Sequence, residues 1–444
     1  MDPGYYKKIY MDLELEVAKQ TKYKLRDFVK FMASGVTPKI TEYDKYYCDS
    51  SNGIPFLRVQ NLSPEGLDYS DCKYINKETH NNLLRRSQVS QGDLLIKITG
   101  VGRMAITSIA PEGFEGNINQ HIVVVKTKEP RLNEQIAAFL NSNIGEMLAA
   151  HRSTGGTRPA LDYTALRSIP IILNDSISNI MNRAYAEKTE KEKEAQSLLN
   201  SINDYLLQEL GIVMPLEEEN TLENRMFYVN SNKILGSRFD PNYYKGETEF
   251  NDLIQRGFYP VYDFHKVITS ITNGVEIRTY AESGFRYLRV SDMGKNGIVN
   301  NNVRYVAVDS IPHKIELSLN DILISRSGSL GLITVVTDEI VDSILSSHIF
   351  RVRLSNKIDK YYLQEFLRSN IGQRQFFKLN NGGIIPEINQ SALGNIEVCI
   401  PPMKKQKEIA EYIMKLRTKA NKLLLEADKI IMLAKVEVEK ILLG

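Results

Sequence analysis

Short apolar runs alternate along this chain with polar, glycine-punctuated stretches. FLRV (56–59), GDLLIKIT (92–99) and HIVVVKT (121–127) are rich in aliphatic and β-branched residues and bounded by Gly, Asn or Pro, which predicts strands. NEQIAAFLNSNIGEMLAAH (133–151) places Ile136, Phe139, Leu140, Ile144, Met147 and Leu148 at helical spacing and predicts one helix with that face buried. A different pattern follows. From Ile177, positions 181, 184, 188, 191, 195, 198, 202 and 205 step by fours and threes. From Ile409 the same stepping runs through Ile413, Leu416, Ala420, Leu423, Ala427, Ile430, Ala434, Glu437 and Ile441. That alternation is a coiled-coil seam. Small residues at 184, 195, 420, 427 and 434 would let two helices approach closely, while Lys188 and Lys191 interrupt the first seam by snorkelling or by loosening the pairing. Each segment closes on a glycine, Gly211 or Gly444.

The strand and helix patterns occur twice. Residues 121–171 align without a gap to 348–398, with 15 of 51 positions identical, far more than chance similarity would supply. The shared set includes His121/His348, the box FLNSNIG/FLRSNIG, Gly155-Gly156/Gly382-Gly383 and Pro159/Pro386. Upstream, residues 53–75 align to 284–306 through Leu57-Arg58-Val59 and Leu288-Arg289-Val290, and GDLLI (92–96) aligns to NDILI (320–324). MDPGYY at the start resembles FDPNYY at 239–244. A domain-sized period in two copies points to a duplicated domain rather than a solenoid. The expected fold class is α+β: two repeated mixed domains, each followed by a long helix, the two helices forming an antiparallel coiled coil with a pseudo-twofold axis. The expected boundaries are 1–173, 174–211, 212–401 and 402–444. The FLxSNIG box is read as helical core that marks homology rather than chemistry.

Composition narrows this picture little. A hydrophobic share of 42% suffices for two cores, and a net charge of +2 neither requires nor excludes nucleic acid. No run approaches the roughly 18 apolar residues of a membrane helix. The start has no apolar core of signal-peptide type, and three scattered cysteines fit a reducing compartment, so the expectation is a cytoplasmic protein.

Catalytic motifs fail one by one. DPGYY and FDPNYY lack the second proline of an amino-methyltransferase loop, and Gly100-Val101-Gly102 precedes a strand-like run where a cofactor loop needs a helix. No Glu-x-Lys exists for a metal-dependent nuclease, and the single Asp-x-Lys, Asp71 to Lys73, becomes Asn302 to Arg304 in the other copy. No phosphate-cradling GxxxxGK[ST] and no HExxH occurs. His121/His348 is read as a structural histidine at a strand start.

The candidate binding residues lie in polar, basic, glycine-containing segments. These are Lys97 to Arg103, the tract around Arg85-Arg86 and His151 to Pro159, with Ser325 to Gly331 and Lys378 to Pro386 in the second copy. Glycines let a backbone approach phosphates, and Arg, Asn and Thr supply donors and acceptors for base edges. Between the copies the apolar frame persists while these tips change: Lys97-Ile98-Thr99 becomes Ser325-Arg326-Ser327, and Ser153-Thr154 becomes Asn380-Asn381. A shared frame with different tips suits the reading of two different short sequences. The candidates are Lys97, Thr99, Arg103, Arg152, Thr154 and Arg158 in the first copy. In the second they are Ser325, Arg326, Ser327, Lys378 and Asn381.

In order and duplication the chain resembles the specificity subunit of a type I restriction–modification system. The features that carry it are the paired [FY]LRV strands, the GDLLI and NDILI…SGSLG segments, the glycine turns before Pro159 and Pro386, the IPII and IEVCIPP runs, and a second helix entered through Pro402 and Gln406 to Ile409. The resemblance implies two target-recognition domains, each reading half of a bipartite double-stranded DNA site, with the helices as a ruler for the unread spacer. It implies partners: modification subunits, two in number, that bind S-adenosylmethionine and methylate adenine, and a motor-nuclease subunit using ATP and Mg. The chain itself would hold no cofactor or metal and perform no catalysis. The seam from Ile177 to Tyr205 would span about 42 Å at ~1.5 Å per residue, or about 12 base pairs. The alternatives are a specificity subunit of a related methylating phage-defence or fused-nuclease restriction complex, and a two-domain protein scaffold without DNA contact.

Overall fold

The computed structural model describes residues 7–214, 221–234, 241–244, 253–308, 311, 315–381 and 383–443. The first Asp-Pro pair, Asp240 of the second, Gly382 and Gly444 lie outside them. The chain divides into two compact units, Met1–Lys193 with Leu423–Gly444, and Glu194–Lys422.

In the first unit, strands β1 (Val29–Ser34), β2 (Leu94–Lys97), β3 (Thr107–Ile109) and β4 (Ile122–Thr127) form an antiparallel sheet in the order β1-β4-β2-β3. β2 and β4 are buried on both faces, which is why they read as continuous apolar runs. Leu94, Ile96, Val123 and Val125 point into one core, with helices α2 (Asn133–Asn141) and α3 (Asn143–Arg152). Leu95, Ile122 and Val124 point into another, shared with Leu57 and Ile118 of a second sheet. In that sheet Ile54–Leu57 runs parallel to Glu115–Ile118. Helix α1 (Lys8–Gln20) buries Leu13 and Val17 in the helix-side core.

The second unit repeats the plan. Strands β5 (Ile268–Asn273), β6 (Asp321–Ser325), β7 (Ile333–Val335) and β8 (Ile349–Leu354) take the order β5-β8-β6-β7. Phe285–Leu288 runs parallel to Ser343–Leu345 in the companion sheet. Helices α5 (Lys360–Arg368) and α6 (Asn370–Lys378) cover the main sheet. The repeated arginine of the FLRV motif has one task in both: Arg58 donates to the carbonyl of Asp71, and Arg289 to that of Asn302 at 2.6 Å.

The FLxSNIG box differs from the single helix its periodicity predicts. Phe139, Leu140, Phe366 and Leu367 are fully buried as expected, but the chain breaks at the serine. Ser142 and Ser369 each cap a new helix, accepting from the amides of Gly145 and Gly372 and donating to Phe139 and Phe366. A Cβ on Gly145 would overlap the Phe139 carbonyl oxygen, and one on Gly372 that of Leu367. The box is therefore a corner between two helices. Gly145→Ala should cost the first unit about 2–3 kcal/mol in chemical unfolding, because only backbone stands in the way. A loss within ~0.5 kcal/mol would show that the corner relaxes freely.

The long helices are α4 (Asp175–Leu210) and α7 (Met403–Leu443). Within the second unit their pairing is antiparallel: Glu194 meets Lys419, the tilted rings of Tyr205 and Tyr412 touch, and Glu209 pairs with Lys405. Within the first unit Ile177, Met181 and Ala184 share a core with Ala434, Val438 and Leu442, and Lys191 bonds Glu426 at 2.7 Å. The seam departs from strict heptads at both ends. After Ala195 Leu199 and Leu206 turn into the core with Ile202 while Tyr205 stays on the seam against Tyr412, and after Ala434 the buried positions are 438 and 442 rather than 437 and 441. A helix of 3.6 residues per turn drifts from a 3.5-residue seam, and a four-four step follows it. The two lysines in the seam do not loosen it. Lys188 bonds Glu65 at 2.8 Å and Glu192 at 3.1 Å. Burial alone would lower its pKa, but those carboxylates outweigh burial and raise it. Among the described residues no helix is long and apolar enough to cross a membrane.

Candidate nucleic-acid interface

In each unit the loop leaving the central strand is knitted to the turn that follows the second helix of the corner. In the first unit Gly100 donates to Pro159 O at 3.1 Å, Leu161 to Ile98 O at 2.8 Å, and Thr99 bridges Ala160. Thr154 and Ala160 exchange backbone bonds of 2.9 and 2.7 Å. The second unit repeats the pattern. Gly328 donates to Pro386 O at 3.0 Å, Ile388 to Arg326 O at 2.9 Å, Ser327 bridges Glu387, and Asn381 donates to Glu387 O at 2.7 Å. Two segments about 60 residues apart in sequence thus become one paired rim in each copy. The backbone polar groups at the base of the rim satisfy one another, and its apices carry their side chains outward.

The candidates divide into two groups. Thr154, Arg158 and Asn381 are exposed at the rim, with Thr99, Ser327 and Lys378 partly so. The others serve the frame, which corrects the expectation that they project freely. Lys97 is only 5% exposed, and its ammonium donates to Val101 O at 2.8 Å. Burial lowers its pKa. Ser325, its counterpart, is fully buried and donates to Ser329 O at 2.6 Å. Two different side chains at one position thus pin the same carbonyl four residues on. Arg103 reaches the Leu140 and Ser142 carbonyls and Glu146, tying the loop to the helix corner. Gln373 performs that task in the second unit, donating to Leu367 O at 2.9 Å. Arg152 bonds Glu14 of α1, Ser168 and the Leu148 carbonyl. Burial raises the Glu14 carboxyl, but hydrogen bonds and charge from Arg152 and His151 outweigh burial and hold it below the usual range. Arg326 pairs with Glu387 across the knitted loops and lies against the Phe350 ring.

His121 and His348 are partly exposed and exposed respectively, not buried. Their recurrence lies in the backbone, since their carbonyls accept from Ile98 and Arg326. Arg85 and Arg86 are exposed on a turn that leads into the edge strand Gln88–Ser90 of the second sheet.

Val101, Thr157, Ile384 and Ile385, inside the predicted segments but not among the candidates, stand exposed at the apices. The available signal was the glycines: Gly100 and Gly102 take φ of 121° and 81°, left-handed values that turn the loop sharply around Val101. Replacing the buried ammonium, Lys97→Met, keeps the stem and leaves the Val101 carbonyl without its donor. The expected result is faster hydrogen exchange across 98–104 and a loss of about 1 kcal/mol. Unchanged exchange there would remove the staple from the account.

Residues 278–428 match the family described as type I restriction modification DNA specificity domain. Solved structures with a similar fold include the S subunit of a type-I restriction-modification system from M. genitalium, at 13% identity and TM-score 0.43, covering 95% of this chain and 94% of that one. Another comes from work on complex assembly and conformational transition of the type I R-M system, at 12% identity and TM-score 0.44, covering 95% of each chain. A third is the HsdS subunit from Thermoanaerobacter tengcongensis, at 12% identity and TM-score 0.34, covering 95% of this chain and 96% of that one. The similarity to that DNA specificity family rests on residues 278–428, and the first unit repeats the sheet order of the second.

Proposed function

We propose that this chain is the DNA-specificity subunit of a type I restriction–modification complex, with each unit reading one half of a bipartite site. The observation that carries the reading is the paired rim. Both copies build it with three matching backbone bonds, yet its exposed side chains differ: Thr154, Thr157 and Arg158 in one, Asn381, Ile384 and Ile385 in the other. A rigid frame with exchangeable tips is what selective contact with two different base sequences requires.

The long helices α4 and α7 act as the ruler for the unread spacer. Partner modification subunits, two in number, bind S-adenosylmethionine and methylate adenine. A motor-nuclease partner uses ATP and Mg and cleaves unmodified DNA. This chain contributes recognition and no catalytic group. The near-neutral charge of +2 is compatible with partners that supply much of the phosphate contact.

Methylation-sensitive sequencing of host DNA, with the gene present and deleted, tests the reading. Deletion is expected to erase a gapped, bipartite methylated motif. Unchanged methylation, with the partner methyltransferase expressed, would bring forward the scaffold alternative. A motif that disappears while the host lacks a motor-nuclease would assign the chain to a related methylating defence complex.

A further inference from the structure

The two rims differ in a way that the paired alignment makes specific. Each rim has two apices, one on the loop after the central strand and one on the glycine turn. In the first unit the loop apex is Val101, 76% exposed, and the turn apex is the polar pair Thr157-Arg158. In the second unit the loop apex is polar, Gly328-Ser329, and the turn apex is Ile384-Ile385, 101% and 62% exposed. The aligned positions exchange character: Val101 faces Ser329, and Thr157-Arg158 faces Ile384-Ile385. Each unit thus presents one apolar and one polar apex, on opposite loops.

These apolar side chains gain nothing for folding where they stand. Single exposed aliphatics are ordinary on a surface. Here they sit on the apices of loops that are otherwise held down. Lys97 pins the Val101 carbonyl, so the side chain is directed outward. Pro386 follows Ile385 directly, and its carbonyl accepts from Gly328, which anchors the turn. Such side chains meet a ligand with little ordering cost. In the major groove of duplex DNA the one apolar feature on a base edge is the C5-methyl group of thymine.

We propose that Val101 in the first unit and Ile384-Ile385 in the second contact thymine methyl groups, one set in each half-site, while the polar apices contact hydrogen-bonding edges. This rests on the DNA-reading function proposed above.

The test uses the full chain assembled with its methyltransferase partner, and the gapped duplex defined by the methylome. Thymines are replaced singly by deoxyuridine, which removes only the methyl group. Binding should weaken about 3- to 10-fold at one or more thymines in each half-site. Val101→Ser should abolish that sensitivity in one half, and Ile384→Ser with Ile385→Ser in the other, with thermal unfolding unchanged. The proposal is overturned if uracil is tolerated everywhere, or if sensitivity persists in these variants, while substitutions at other bases still weaken binding. A half-site without thymine on either strand overturns it for that unit. Absence of salt-dependent DNA binding by the assembled complex would instead overturn the function on which it rests.

Discussion

Glu365→Ala is expected to destabilise the second unit by about 3–5 kcal/mol, because it strips the partner from two substantially buried guanidinium groups. The Glu365 side chain is 2% exposed, and it receives Arg417 at 2.5 Å and Arg368 at 3.2 Å. Arg368 also donates to Ile333 O at 2.6 Å, and Arg417 to Asn296 Oδ1 at 3.0 Å. The network ties α5, strand β7 and α7 together within one unit. Burial, with Arg417 adding to it, pushes the Arg368 guanidinium down to about 10, and Glu365 opposes that fall. Without Glu365 a buried positive charge would stand uncompensated.

The first unit shows how the same place is built without charge. Ala138 stands where the alignment has Glu365, Asn141 where it has Arg368, and Tyr185 follows seam position 184 as Arg417 follows 416. Asn141 clamps Thr107 by two bonds, of 3.0 and 2.7 Å, and the space beside Ala138 and Tyr185 remains a groove of about 680 Å³. Glu365→Ala with Arg417→Tyr copies that arrangement and should recover more than half of the single-variant loss, because it removes one stranded charge as well. Urea unfolding, with hydrogen exchange read over 360–378, measures both variants. A single-variant loss under ~1 kcal/mol, or no recovery in the double variant, would refute the account of the network.

Adding seven residues to each long helix, after Lys193 and after Lys422, should lengthen the recognised gap by about three base pairs while leaving both half-sequences intact. Seven residues at ~1.5 Å are about 10.5 Å, against ~3.4 Å per base pair. A whole heptad keeps each seam facing its partner, so the packing of Ala195, Ala420 and Ala427 survives the insertion. Recognition of the original spacing is expected to disappear. Methylation-sensitive sequencing of a strain carrying the insertion reads the gap directly. Retention of the old gap, with both halves still methylated, would end the ruler reading of α4 and α7.

Strands β2, β4 and β6 were legible because they are buried on both faces and their runs are largely apolar, whereas Arg351 and Arg353 interrupt β8, which was legible through its alignment with β4. The helix corner at Ser142 was not legible from periodicity, since a capped break keeps Phe139, Leu140 and Ile144 in one core. Its signal was the serine three residues before a glycine, which periodicity ignores. The seam was legible until the 3.6-residue helix drifted from the heptad count, beyond Ala195 and Ala434. The comparison between copies singled out the segments that the structure knits into each rim, because tips vary where the frame does not. It placed Lys97, Ser325, Arg103 and Arg152 among the tips, although each is spent on a carbonyl or a carboxylate inside its own unit.

The sequence by itself determined the duplication, the α+β class, the two long helices and the segments that form the two rims. Those are properties of local pattern, and two copies within one chain make them visible. Only the tertiary structure decided which residues of those segments project. That depends on bonds between positions far apart, Gly100 to Pro159 and Gly328 to Pro386, and on buried groups that pin loop carbonyls. Residue type does not reveal whether a lysine or serine ends at a solvent-facing tip or on a neighbour's carbonyl. The fold settles it, because a buried polar group must be paired and an exposed one need not be.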